Sequence, residues 1–261
     1  MLKIGAFIAL IILNALIVHE VLISHKIIKK NSYFTVIIFI LLSLPILKIE
    51  NYWPIIIANF SLVLILNELL NLAESNTPKQ HIFNASFLVG TICVIQIYLG
   101  IYYFLISFFL GYYKHNTIKN FIIQNIGFVA PFIIFYSISS FILPDYNFSN
   151  NNGPILNNSP IKYIASYATM LCIITLACGE LIYNFNKKKI KSKQLFLITG
   201  AIIILSFCPI LIGHLNQFIY LTIMPITIVI TNYLIYTKYI RFGTFLVRLW
   251  IVLFLFEFFY I

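Results

Sequence analysis

Charged side chains are so scarce that they decide what this chain can fold into. Of 261 residues, 9% are Asp, Glu, Lys or Arg, 61% are hydrophobic, and the mean hydropathy is +0.99. Average soluble domains carry roughly 25% charged residues, so the polar surface that water requires is missing here. The class that remains is an all-α, polytopic transmembrane helix bundle. The net charge of +10 would suggest nucleic acid in a soluble protein. Here the basic residues stand in short clusters between apolar runs, where they act as topology signals and lipid-headgroup contacts. Nucleic acid is therefore not an expected partner, whereas membrane lipids are.

A helix needs about 20 mostly apolar residues to cross a bilayer of roughly 30 Å. Ten candidate spans meet or approach this, at approximately 4–24, 33–47, 53–72, 82–97, 98–113, 120–143, 163–185, 195–213, 218–235 and 244–261, within a single transmembrane domain over 1–261. Residues 1–24 read as an uncleaved first helix, because the apolar stretch is too long for a signal peptide and no small-x-small cleavage site follows it.

Placing the 25–32 loop in the cytoplasm and alternating from there puts thirteen of the seventeen basic residues on one side. These are Lys26, Lys29, Lys30, Lys79, Lys114, Lys119, Lys187, Lys188, Lys189, Lys191, Lys193, Lys238 and Arg241. Only Lys3, Lys48 and Lys162 fall outside, and Arg248 lies within a span. The positive-inside rule is thus obeyed and both termini are expected outside. The same rule divides 82–113: read as one helix it would send the five-lysine segment 187–193 outside, so a short hairpin turning near Gln96–Gly100 is expected, with Gly100 supplying turn geometry. The turn-rich stretch 144–162 is expected to be an outer loop, either a plain connector or a docking lid.

Ionisable groups inside a span cost about 2.5–3.5 kcal/mol when central, so each needs a reason. By this topology Glu20, Glu68, Glu180 and Arg248 share the cytoplasmic third of the membrane. Asn67 and Asn71 flank Glu68, and Asn184 follows Glu180 by four residues, which makes one side of each helix polar. Arg248 is the natural counter-charge for one of the carboxylates. Two readings stand: packing residues at interface depth, or a polar groove of Glu20, Asn67, Glu68, Asn71, Glu180, Asn184 and Arg248 open to the cytoplasm for a headgroup, an ion or a partner helix.

Other constellations point nowhere catalytic. His19-Glu20 begins like a zincin, but position 23 is Ile23 rather than histidine. His25 and His81 read as headgroup-level residues, and His214-Leu215-Asn216-Gln217 as an outer turn. Cys93, Cys172, Cys178 and Cys208 sit in apolar runs without metal-ligand spacing and read as small buried hydrophobes. No phosphate-binding glycine loop, nucleophile elbow or Asp-x-Asp pair occurs. No cofactor and no metal is indicated, and no catalytic residue can be named. Tyr52-Trp53, Tyr112-Tyr113, Tyr163 and Tyr239 fall at expected interfaces, as an aromatic belt.

The segments Lys30-Asn31-Ser32-Tyr33, Ala58-Asn59-Phe60-Ser61-Leu62-Val63-Leu64, Ile82-Phe83-Asn84-Ala85-Ser86-Phe87 and Ile118-Lys119-Asn120-Phe121, the last followed by Gly127-Phe128, carry a likeness in order and spacing. Over roughly residues 15–140 the chain resembles the DUF6427 family, multi-spanning inner-membrane proteins of Bacteroidota. Asn67-Glu68 stand where that family often has a basic pair. The resemblance implies a bacterial inner (cytoplasmic) membrane and no recognised enzyme class. The expectation is a non-catalytic accessory or scaffold subunit that packs against other integral membrane proteins. Its alternative is a transporter or transferase acting on a lipid-linked substrate through the polar groove.

Overall fold

A backbone surrounded by hydrocarbon finds no water to bond to, and the helix is the local structure that satisfies its own amides. The computed structural model describes residues 2–28, 33–44, 53–75, 77–142, 164–211, 220–237 and 240–260, and every element among them is helical. They are α1 (Leu2–Ser24), α2 (Phe34–Ser43), α3 (Trp53–Leu72), α4 (Pro78–Ile95), α5 (Tyr102–Tyr112), α6 (Ile118–Ile142), α7 (Ile164–Asn184), α8 (Ile190–Ser206), α9 (Cys208–Leu211), α10 (Ile223–Tyr236) and α11 (Ile240–Tyr260). Single 3₁₀ turns occupy Ile97–Ile101 and Phe185–Lys187. Loop 144–162, turn 214–217, Lys29, Lys30, Lys48, Tyr52, Tyr163, Lys238 and Tyr239 lie outside the described residues.

Ten of these helices have ten residues or more and follow the ten apolar runs in order. Four contain a stretch long and apolar enough to cross a membrane: Phe7–Ser24, Trp53–Leu72, Ile118–Ile138 and Ala168–Lys187. The helices also begin before the apolar runs do. Lys79, Lys119, Lys191, Lys193 and Arg241 stand on first turns of α4, α6, α8 and α11 rather than in loops. Lysine is a good helix former whose stem can lie along apolar surface, so loss of apolarity marks the edge of the lipid and not the edge of the helix.

The chain divides into two compact units. The first comprises Met1–Glu50, Ile155–Phe196 and Thr222–Ile261. In it α1 packs on α2, while α10 packs on α2, α7 and α11. The buried face of α1 is Phe7, Ile11, Ala15, Val18 and Leu22, spaced by three or four residues as a helix stripe requires. α10 is buried nearly all round and forms the unit's core helix. α1 ends in a Schellman motif: Lys26 takes φ 56°, its N–H donates to the Ile23 carbonyl (2.8 Å), and the Ile27 N–H donates to that of Leu22 (2.9 Å).

The second unit comprises Asn51–Pro154 and Leu197–Leu221. α4 is its centre, packing on α3, α5 and α6. The approach of α4 to α6 is backbone to backbone through two glycines. A Cβ on Gly90 would lie 2.3 Å from the Phe128 carbonyl oxygen, and one on Gly127 would lie 2.8 Å from that of Phe83. Ser86, four residues before Gly90, completes a small-x-x-x-small edge that lets two helices come this close. The expected break in 82–113 is present: α4 stops at extended Gln96 (φ −142°, ψ 105°) and α5 starts at Tyr102. Gly100 serves differently from the expectation. It keeps ordinary helical-side φ and instead leaves room for Cys93, whose Sγ would lie 2.9 Å from an added Cβ.

Candidate functional site

α3 and α4 form an antiparallel hairpin over the short connection 73–77, so positions equidistant from its centre face one another. Glu68, one turn before the end of α3, thereby meets His81, one turn into α4. Glu68 Oε2 lies 2.7 Å from His81 Nδ1, and its Oε1 accepts from Asn84 Nδ2 at 3.4 Å. The carboxylate and the imidazole are about one-fifth exposed, 19% and 21%. At that burial the contact is a charge-assisted tie between two helices rather than a free acid facing solvent. Asn67 and Asn71 are half-buried on the same end of α3, and the Asn71 carbonyl accepts from the Glu74 N–H at 3.0 Å.

Glu20, Glu180, Asn184 and Arg248 belong to the other unit. Glu180 and Asn184 are half-buried along the end of α7. The charge of Glu180 reaches Lys188, just past the helix: burial pulls the Lys188 ammonium below the ordinary lysine range, and Glu180 opposes the shift. Lys188 donates to Asn232 Oδ1 at 3.1 Å and sits 5.0 Å and 5.6 Å from the ring centres of Phe196 and Tyr236. That cation is thus a packing element. Arg248 lies two turns into α11, exposed, and makes no ion pair with Glu180. The cation that Glu180 acts on is Lys188, eight residues further along the chain and just past the end of α7, so no long-range pairing is needed.

Glu20 is exposed at the end of α1 and lines a cleft of about 540 Å³ with Ile23, Ser24, Lys26, Ile28, Lys189 and Tyr236. The Tyr236 hydroxyl donates to the Ile27 carbonyl at 2.7 Å, which fixes the turn after α1 to α10. The structure therefore puts Glu68 with His81 and Asn84, Glu180 near Lys188, and Glu20 with Lys26 and Lys189.

Two readings of single residues gain detail. His81, read as a headgroup-level residue, is also the partner of Glu68, and the signal for that pairing was its distance from the hairpin centre. Of the cysteines only Cys93 is buried, and Cys172 is exposed, because the α7 face that carries it is not covered. Further polar side chains act as ties: Asn59 Nδ2 donates to the Tyr220 carbonyl (2.8 Å), Tyr102 Oη and Ser206 Oγ share a bond (2.8 Å), and Gln124 Nε2 donates to Ser107 Oγ (2.8 Å). Among the described residues no three His, Cys, Asp or Glu side chains are grouped as metal ligands would be. Comparison with family models, curated proteins and solved structures finds no match for this chain.

Proposed function

We propose that the chain is a non-catalytic, multi-spanning protein of a bacterial inner membrane, acting as an accessory or scaffold subunit of a larger membrane complex. The observation that carries this reading is the use made of polar groups in the apolar helices. Glu68, Asn59, Tyr102 and Gln124 each join one segment of the chain to another. A transport or catalytic site instead gathers such groups around a space a substrate can enter.

Helix length and exposure support the same reading. α2 has 10 residues, which at about 1.5 Å per residue gives roughly half the thickness of a hydrocarbon core, and the continuous helical segment Ile97–Tyr112 that contains α5 is also below span length. Neighbouring chains relieve such mismatch. The span-length stretches of α6 and α7 are only 17% and 11% buried. Their apolar faces suit either lipid or a partner helix.

Cross-linking in intact membranes, followed by mild solubilisation and native mass spectrometry, tests the proposal. A stoichiometric assembly with another integral membrane polypeptide is expected, and a chain recovered solely as a monomer would overturn it. The rival reading, transport or transfer of a lipid-linked substrate, predicts that Glu68→Gln or Glu180→Gln stops growth or envelope assembly while insertion stays normal. The accessory reading predicts that neither does.

A further inference from the structure

The cleft beside Glu20 has a composition that the accessory role leaves unused. Its lining brings together two ammonium groups, Lys26 and Lys189, one carboxylate, Glu20, and the aliphatic side chains of Ile23 and Ile28. All of these lie within one compact unit. The cleft also has a defined level. Span-length stretches end at Ser24 in α1 and at Lys187 just past α7. Its lining straddles those ends, with Glu20, Ile23 and Ser24 in the last turns of the α1 stretch and Lys26, Ile28 and Lys189 just past the two ends, the depth at which a bilayer's headgroups would meet these helices.

The lysines are not interchangeable with their neighbours. Within the basic segment, Lys187 lies against Tyr183, Lys188 against Phe196 and Tyr236, and Lys193 against Phe185. Lys189 makes no such contact among the described residues and is exposed in the cleft. Lys26 is held in the left-handed region at φ 56°, the position of a Schellman motif at which glycine is least strained. A lysine there costs backbone stability relative to glycine, as Lys114 also does at φ 60° after α5, and at Lys26 it places a charge in the cleft.

We propose that this cleft binds the headgroup of a phosphoethanolamine-type phospholipid. Lys26 and Lys189 take the phosphate, Glu20 takes the primary ammonium, and Ile23 and Ile28 lie along the first methylenes of the tails. The one carboxylate answers the one amine, and the two ammonium groups answer the two non-bridging oxygens of the phosphodiester, which share a single negative charge. The amine matters because an ammonium can donate hydrogen bonds to a carboxylate, whereas a quaternary choline cannot.

The test uses the full-length chain in mild detergent, titrated separately with short-chain phosphatidylethanolamine, phosphatidylcholine and phosphatidylglycerol and with inorganic phosphate, read by native mass spectrometry and by thermal shift. Phosphatidylethanolamine should bind more tightly than phosphatidylcholine, and Glu20→Gln should remove that preference while keeping binding. Lys26→Gly and Lys189→Gln should each weaken phosphatidylethanolamine binding by roughly fivefold, the contribution of one lysine near an anionic surface. Lys26→Gly should hold or raise the melting temperature without lipid, which separates lost binding from lost folding. Inorganic phosphate that binds as tightly as the lipid, at the same two lysines, would make the site one for a free phosphate and overturn the headgroup assignment. Equal binding of phosphatidylethanolamine and phosphatidylcholine, preference for phosphatidylglycerol over both, or binding that survives both lysine substitutions would also overturn it.

Discussion

Gly90→Ala is the substitution whose consequence the structure fixes most closely. The new Cβ would stand 2.3 Å from the Phe128 carbonyl oxygen and 3.0 Å from Pro131 Cγ, against ordinary contact that begins at 3.4 Å. The nearer obstacle is backbone, so no rotamer change relieves it, and α4 and α6 must part by about 1 Å where they touch. Overpacking of this kind costs typically ~1–3 kcal/mol, and a backbone obstacle places it at the upper end. Replacing a helical glycine by alanine returns about 1 kcal/mol of propensity. The net loss is about 2 kcal/mol, which corresponds to a fall of about 4–8 °C in Tm on the scaling for chains of this size. Gly179→Ala in α7 supplies the control, since nothing lies within 4 Å of its added Cβ; it should leave Tm unchanged or raise it. The assay is thermal unfolding of each purified variant in one mild detergent. If Gly90→Ala melts at or above the parent temperature, as Gly179→Ala should, the close α4–α6 packing is wrong.

Three further outcomes follow from single contacts. Glu68→Ala removes the acceptor of both His81 and Asn84 and should cost about 1–3 kcal/mol, whereas Glu68→Gln, which keeps an oxygen in place, should cost less, both read by thermal unfolding. Asn59→Leu strips the side-chain donor from the Tyr220 carbonyl and should destabilise by about 1–3 kcal/mol in the same measurement. Thr35→Val has the opposite sign: Thr35 Oγ1 is buried with no hydrogen-bond partner among the described residues, so the isosteric valine should be neutral or stabilising by up to about 1 kcal/mol.

Much of the architecture was legible because the apolar runs are long and the lysines punctuate them. Ten runs became ten helices of ten residues or more. The break near Gln96 was readable from charge alone, because only a turn there keeps Lys187, Lys188 and Lys189 with the other basic residues. Helix starts were less legible: lysines on a first turn look like loop residues to any reading based on hydropathy, as Lys191 and Lys193 do. The pairing of Glu68 with His81 depends on register within a hairpin, which periodicity does not supply until both helix ends are known. Glycine contacts such as Gly90 against Phe128 are set by three-dimensional approach, and nothing in the local sequence separates Gly90 from the uncrowded Gly179. Lys26 shows a further limit, since a lysine in a left-handed helix cap carries none of the usual glycine signal.

Orientation is the premise beneath the expected topology and the headgroup cleft, because each depends on the lysine-bearing helix ends sharing one face of the membrane. Reporter tags inserted after Asn151 and after Lys189, on either side of α7, measure this directly in intact cells. The tag at 189 should report the cytoplasm and the tag at 151 the opposite compartment. Two tags reporting one compartment, or a tag at 189 accessible from outside the cell, would contradict the account.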